Sequence, residues 1–431
     1  MPTASGDVAG HRDVLPHLRS PALRRGGVRE VTIGFILVGA SAFVLLGVGP
    51  RLLGAAAFSG VGIIWTLSTV FGVGVATPTE QLINRRMNAG APHPIRSPMA
   101  VLVVVAALTA VACVAFVGRL PSASALPAMV TGCLVAIVGW VLTAGVRGRL
   151  AGAGDLRAYS VVLATEAGGR VVLALVAIAL PSMRDILLPA AVGVPLVVGA
   201  LVGLCWTIPS RAGIALRSAR VPWEQAAFVL VALGFQATVN LAAVLIEARV
   251  GASQPAATGE FVSASTYFRV PLVLTGGVLT SALVVMSAAT ADRDLPRFRR
   301  SLRRSTGQAG AITLVPSLVL LVLAPVLLPV YYGSALGLPV LVYVSLAVST
   351  VLAGLGSALT QSLLATGRSM WAALAWMLGA LVTVAGLVAA AEVGAATGAS
   401  LVAGPLVAGV VLLIAVRLAE RRFLTHGDDG P

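Results

Sequence analysis

Beyond residue 29, apolar runs of roughly twenty residues alternate with short polar or Gly/Pro-rich breaks to the end of the chain. A helix rises 1.5 Å per residue, so ~20 apolar residues cross a hydrocarbon layer of ~30 Å. Runs at 30–49, 52–78, 98–118, 126–146, 157–180, 186–206, 224–246, 260–288, 308–330, 338–366, 370–391 and 396–417 reach that length. The pattern therefore predicts an all-α membrane protein of about twelve transmembrane helices. Gly and Pro recur inside the runs, which membrane helices tolerate because neighbouring helices satisfy the freed backbone. Small residues such as Gly72, Gly74, Gly276 and Gly277 would let helices approach closely.

The polar segments divide the chain. Residues 1–29 carry Pro2, Pro16, Pro21 and five Arg and read as a disordered cytoplasmic tail. The longest later break, roughly 206–223, holds Pro209, Arg211, Arg217, Arg220 and Pro222. The expected organisation is an N-terminal six-helix lobe over 30–208, a cytoplasmic linker at 209–223, a C-terminal six-helix lobe over 224–418 and a cytoplasmic tail at 419–431. Leu150-Ala151-Gly152-Ala153-Gly154 after the fourth run and Leu364-Ala365-Thr366-Gly367 after the tenth are weak echoes of each other. Both fall on the same side, so the halves would be parallel repeats.

Composition agrees. The chain is 58% hydrophobic and 11% charged, whereas soluble domains carry roughly 25% charged residues. The net charge of +14 would point to nucleic acid in a soluble protein, but all 30 basic residues are Arg and no basic stripe with interleaved aromatics exists. No nucleic-acid partner is expected. Instead, 24 arginines occupy alternate breaks, and only Arg51, Arg119, Arg184 and Arg249 occupy the opposite set. By the positive-inside rule both termini are cytoplasmic, and a multi-pass protein of the inner (cytoplasmic) membrane is expected. Arg24-Arg25 precedes the first run, but the apolar stretch from Val31 to Gly49 exceeds the 7–15 residues of a signal-peptide core and reads as a retained helix. Cys113, Cys133 and Cys205 lie within apolar runs, and His11, His17, His93 and His426 have no partner spacing, so no metal or other cofactor is expected.

Several short motifs occur in order along the chain. Pro50-Arg51-Leu52-Leu53-Gly54 leads through Phe58 and Trp65-Thr66-Leu67 to Pro78-Thr79-Glu80-Gln81; Arg147-Gly148-Arg149-Leu150-Ala151-Gly152 is followed by Tyr159 and Glu166 through Arg170. Gly259-Glu260-Phe261, Tyr267-Phe268-Arg269-Val270-Pro271 and Leu363-Leu364-Ala365-Thr366-Gly367-Arg368 follow. In this order and spacing, over nearly the whole chain, the sequence resembles the bacterial polysaccharide-biosynthesis (oligosaccharide-lipid) flippases of the multidrug, oligosaccharidyl-lipid and polysaccharide exporter superfamily. The resemblance implies two six-helix lobes around a cavity that opens alternately to either side. It also implies a polyprenyl-diphosphate-linked glycan as substrate, drawn from among the membrane lipids and handed on from glycan-assembly enzymes.

An ionisable group inside a span costs roughly 2.5–3.5 kcal/mol on insertion scales and needs a reason. Only ten residues, Val171 to Leu180, follow Arg170 in its run, so the fifth helix must enclose it. Glu166 is one turn earlier on the same face. The two form either a structural ion pair or a cavity site in which a diphosphate competes with Glu166 for the guanidinium. Arg269 either snorkels to the outer interface or sits at mid-depth facing Arg170 across the lobes; in the second case two guanidiniums would grip a pyrophosphate. Gln236 and Asn240, four apart on the seventh helix, line the cavity or hold a neighbouring helix, the second being the usual role of such residues. Glu80 is expected in a solvated salt bridge with Arg85 and Arg86, and Glu247 and Glu260 at the outer interface. No paired carboxylates or His-nucleophile arrangement stands out, and with no Lys there is no phosphate-binding Gly-Lys loop. Transport rather than catalysis is expected. A cation-coupled multidrug exporter of the same superfamily is the second reading. A membrane glycan ligase or polymerase is the third, and the long polar outer loop it would need is missing.

Overall fold

The computed structural model describes residues 25–88, 95–117, 126–206, 222–333, 337–390 and 393–425, and these are all-helical. The first helical stretch, Arg25–Phe71, continues through a π-helical turn, Gly72–Ala76, into Thr77–Asn88. It is two membrane helices rather than one: Gly54 leaves the helical region (φ 77°, ψ 159°) four residues after Pro50. Proline removes a helical donor and glycine admits the left-handed φ, so the chain turns back here. We call residues 25–53 α1 and 55–88 α2.

The order continues with α3 (Arg96–Val117), α4 (Leu126–Gly152), α5 (Leu156–Ala179) and α6 (Arg184–Trp206). Next comes α7, made of Pro222–Asn240 and Ala242–Val250 with a 48° bend between them. The chain then runs through α8 (Ala257–Ala291), α9 (Leu295–Tyr332), α10 (Val340–Ala365), α11 (Ser369–Ala389) and α12 (Ala395–Thr425). Nine described stretches are long and apolar enough to cross a membrane, and bent α7 makes ten. Dividing the first at Gly54 and adding the shorter apolar α3 gives the twelve helices expected. Large apolar side chains face outward: Val111, Val322 and Val340 are 70%, 78% and 73% exposed. Lipid is the medium that accepts such a surface.

Two boundaries need correcting. Residues 25–29 and 419–425 are helical, where tails were expected, and α2 and α9 also overrun their apolar runs. Backbone hydrogen bonding does not stop where hydrocarbon ends, and Arg and Met are good helix formers. Of the linker at 209–223, Pro222 and Trp223 begin α7; its remainder, with residues 1–24 and 426–431, lies outside the described residues.

The two halves repeat one packing scheme. In the first, α1 packs on α5, α4 on α6, α5 on α6 and α2 on α4; in the second, α7 packs on α11, α10 on α12, α11 on α12 and α8 on α10. The helix ends after α4 and α10 are the same local structure. Gly154 (φ 74°) and Gly367 (φ 70°) are both left-handed. Asp155 N–H donates to Leu150 O at 2.9 Å and Arg368 N–H to Leu363 O at 2.8 Å, the six-residue Schellman closure. Superposing the two glycines aligns Leu150 with Leu363, one residue away from the match suggested by the Leu-Ala echo.

Between the halves, α2 lies against α7 and α8. At the outer end the approach is close. A Cβ on Gly259 of α8 would lie 2.1 Å from the carbonyl oxygen of Ala55 in α2. Nearby, Tyr331 of α9 stacks on Phe43 of α1, with ring centres 4.3 Å apart, and donates its hydroxyl hydrogen bond to the Phe43 carbonyl. The two halves are therefore in contact at the helix ends that the arginine pattern assigns to the outside.

Candidate functional site

The buried charges of the N-terminal half meet where α2, α4, α5 and α6 converge. Asp155 caps α5 by accepting from Ala158 N–H at 3.0 Å, which starts the helix one turn before Tyr159. Gly148 allows α4 to lie against α2: a Cβ there would stand 3.0 Å from the Glu80 carbonyl oxygen. That approach brings the Arg147 guanidinium onto the Glu80 carboxylate, with Nε at 3.0 Å and Nη2 at 2.9 Å from Oε2. Glu80 Oε1 accepts a 2.6 Å bond from the Tyr159 hydroxyl. Arg147 Nη1 also stands 3.5 Å from Glu166 Oε1. Its guanidinium lies 5.7 Å from the Tyr159 ring centre and 5.8 Å from that of Trp140, and Trp140 donates to Ser68 on α2 at 3.0 Å. All three charged residues of this cluster are buried.

The cluster revises two expectations. Glu80 is not in a solvated bridge at the helix end; it is the buried partner of Arg147 and Tyr159, because α2 continues helically to Asn88 and carries Glu80 inward. Glu166 and Arg170 do not pair. Although one turn apart, the Glu166 carboxylate turns towards Arg147 and packs beside Gly199 of α6.

Arg170 is buried at 3% exposure, yet its Nε and Nη1 have no hydrogen-bond partner among the described residues. Its guanidinium carbon lies 5.8 Å from the ring centre of Trp65 on α2. Trp65 follows Gly62 by one turn, and Gly62 abuts Val262 of α8 across the lobes. Arg170 thus lies beside α2, the helix that also meets α8 of the other half.

In the second half, Arg269 does not snorkel outward. Its Nη1 donates to Asn240 Oδ1, and Asn240 Nδ2 donates to Gln236 Oε1. These bonds join α7 to α8 beside the 48° bend that follows Asn240. Arg170, Trp65, Asn240 and Arg269 each lie ~14–18 Å in from the outer end of their helix, counted at 1.5 Å per residue. All four therefore sit near the bilayer middle. Glu260 accepts from Gly337 N–H at 2.9 Å at the outer rim. Glu247, also expected at the interface, is buried, and its Oε2 has no partner among the described residues.

The two halves differ at equivalent places. In the register set by Gly154 and Gly367, Thr360 stands where Arg147 does, and Gly379 and Thr383 where Glu166 and Arg170 do. Trp376 donates from its indole to Thr360 Oγ1 at 2.8 Å, so a neutral bond fills the position that holds the charge cluster in the first half. Sequence reasoning missed Arg147 and Tyr159 because arginines at the end of an apolar run read as loop markers. α4 in fact continues six residues past its apolar run, to Gly152.

No family model matches the chain, and no curated protein does. Solved structures do match. An inward-facing multidrug resistance MATE family transporter of the MOP superfamily aligns over 93% of this chain and 99% of its own, with a TM-score of 0.67 at 16% identity. An outward-facing form of such a transporter aligns over 92% and 96%, with a TM-score of 0.66 at 17% identity. A MOP superfamily transporter from Pyrococcus furiosus Vc1 (DSM3638), described as having a binding pocket of reverse polarity, covers 92% and 96%, with a TM-score of 0.65 at 16% identity. At such identities the likeness is one of fold. The fold is that of transporters in the superfamily that the sequence resembles.

Proposed function

From a fold shared with MOP superfamily transporters, we propose that this protein works by alternating access and moves an amphiphilic anion across the membrane, its substrate being a lipid-linked oligosaccharide carried on a diphosphate. The observation that carries this reading is Arg170, a mid-membrane guanidinium with two N–H-bearing nitrogens, Nε and Nη1, that lack partners among the described residues. A buried donor without an acceptor is costly, and a phosphate oxygen relieves it with a charge-assisted, forked bond. Arg269 is the second cation at that depth, oriented by Asn240 and Gln236. Glu166 makes its ion pair with Arg147, which leaves Nε and Nη1 of Arg170 for a ligand. The substrate enters from the cytoplasmic side while the outer ends of α2 and α8 are in contact, and leaves when they part.

The test is transport of a polyprenyl-diphosphate oligosaccharide in proteoliposomes. Arg170→Ala abolishes it while the protein still inserts, Arg170→Lys keeps part of it, and Arg269→Ala weakens it. Normal transport by Arg170→Ala overturns this reading. The second reading is a cation-coupled multidrug exporter, favoured by the multidrug resistance transporters that share the fold and by the two buried carboxylates Glu80 and Glu166. It predicts efflux of cationic dyes that depends on an imposed cation gradient and is lost in Glu166→Gln.

A further inference from the structure

The cytoplasmic end of α9 carries more structure than membrane crossing requires. At 38 residues it is ~57 Å long, against a hydrocarbon layer of ~30 Å; the corresponding α3 has 22 described residues. Asp294 caps the extension by accepting from Arg297 N–H at 2.8 Å. Its inner face is secured to the second half. Phe298 is buried against Met286 and Ala289 of α8, and Leu302 packs in the same cluster beside Ala365 of α10. Two of its arginines are occupied: Arg297 pairs with Asp292 at 3.2 Å, and Arg299 with Glu420 of α12 at 3.4 Å.

Arg300, Arg303 and Arg304 remain. All three are exposed, and none has a carboxylate at ion-pairing distance among the described residues. Their spacing of three and four places them on one face. Continued by the same steps through Gly307 and Ala311, that face becomes the exposed apolar stripe Leu314, Val315, Leu318, Val322, Val326 and Val330. From Ala311 to Val330 the stripe spans ~29 Å, the thickness of the hydrocarbon. Arg304 follows ~10 Å beyond it, within reach of the phosphate layer for a long side chain. The arginines thus point away from the protein, towards the lipid that borders α9.

We propose that this face is a docking surface for anionic phospholipid of the cytoplasmic leaflet, with the headgroup phosphates on Arg300, Arg303 and Arg304 and the acyl chains along the stripe from Leu314 to Val330. Charge complementarity and the continuity of one face across the headgroup boundary carry the assignment. A basic cluster directly cytoplasmic of a transmembrane helix is the arrangement that binds such lipids, each arginine contributing about fivefold in affinity. The docked lipid would stabilise the folded protein by binding it and not the unfolded chain.

The full-length protein in detergent micelles is titrated with phosphatidylglycerol or with phosphatidylcholine, reading bound lipid by native mass spectrometry and the midpoint of thermal unfolding. Phosphatidylglycerol should bind and raise the midpoint, and phosphatidylcholine should not. Arg300→Gln/Arg303→Gln/Arg304→Gln should weaken phosphatidylglycerol binding at least tenfold, and the corresponding triple Lys variant should restore most of it. The Lys variant separates loss of charge from loss of fold, and 0.5 M salt should mimic the Gln variant in the unaltered protein. Equal binding by the triple Gln variant overturns the proposal. So does an equal response to phosphatidylcholine, or an equivalent shift from inorganic phosphate or single-stranded RNA at matched charge.

Discussion

Replacing Arg147 with Met leaves two buried carboxylates without their common cation. Glu80 loses both the 3.0 Å and the 2.9 Å bonds and keeps only the Tyr159 hydroxyl; Glu166 loses its 3.5 Å ion pair. Their side chains are 8% and 1% exposed, so water does not replace what is removed. Breaking a buried pair from one side costs about 3–5 kcal/mol, and here one cation serves two anions, which puts the variant at the upper end. At roughly 2 °C per kcal/mol for a long chain, the apparent unfolding midpoint in detergent should fall by roughly 10 °C. The triple variant Arg147→Met/Glu80→Gln/Glu166→Gln removes all three charges, and the amide introduced by Glu80→Gln can still accept from the Tyr159 hydroxyl. Uncompensated charge is the source of the loss, so the triple variant should recover most of it. Scanning fluorimetry of the two variants beside the unaltered protein makes the comparison. A triple variant as unstable as the single one would refute the electrostatic account and leave lost packing against Trp140 and Tyr159 as the cause.

Other consequences follow from single contacts. Gly259→Ala places a Cβ 2.1 Å from the Ala55 carbonyl oxygen, so the outer ends of α2 and α8 should part. A cysteine introduced as Ala55→Cys should then react several-fold faster with a membrane-impermeant maleimide, and an unchanged rate would mean that the closure does not rest on this contact. Thr360→Val removes the acceptor of the buried Trp376 indole and should cost about 1–3 kcal/mol, whereas Trp376→Ala should cost about 3–5 kcal/mol, both read as melting shifts. For topology, cysteines introduced as Arg184→Cys and Ser253→Cys should label from outside, and Asp155→Cys and Asp292→Cys should not; the reverse pattern would invert the orientation drawn from the arginines.

Hydropathy was enough, without coordinates, for an all-helical membrane protein of twelve spans. Apolar length is set by bilayer thickness and loop charge by the side on which a loop resides, and both are one-dimensional properties that a sequence carries openly. The sequence also required Arg170 to lie inside α5, since only ten residues follow it in that run. What Arg170 meets was not legible. Helical spacing put Glu166 beside it, yet side-chain direction depends on neighbouring helices, and the approach of α4 at Gly148 and of α6 at Gly199 turned Glu166 to Arg147 instead. Glu80 and Arg147 are 67 residues apart in the chain, and no local pattern links them. The same holds for Arg269: hydropathy allowed a snorkelling residue, and only the packing of α7 on α8 gave it Asn240 as an acceptor. The duplication was audible in a short Leu-Ala-Gly echo, but its register came from two left-handed glycines, because backbone conformation survives in a repeat where apolar side chains drift. Length and charge are summed along a chain, whereas the partner of a buried charge is chosen by whichever helix comes closest.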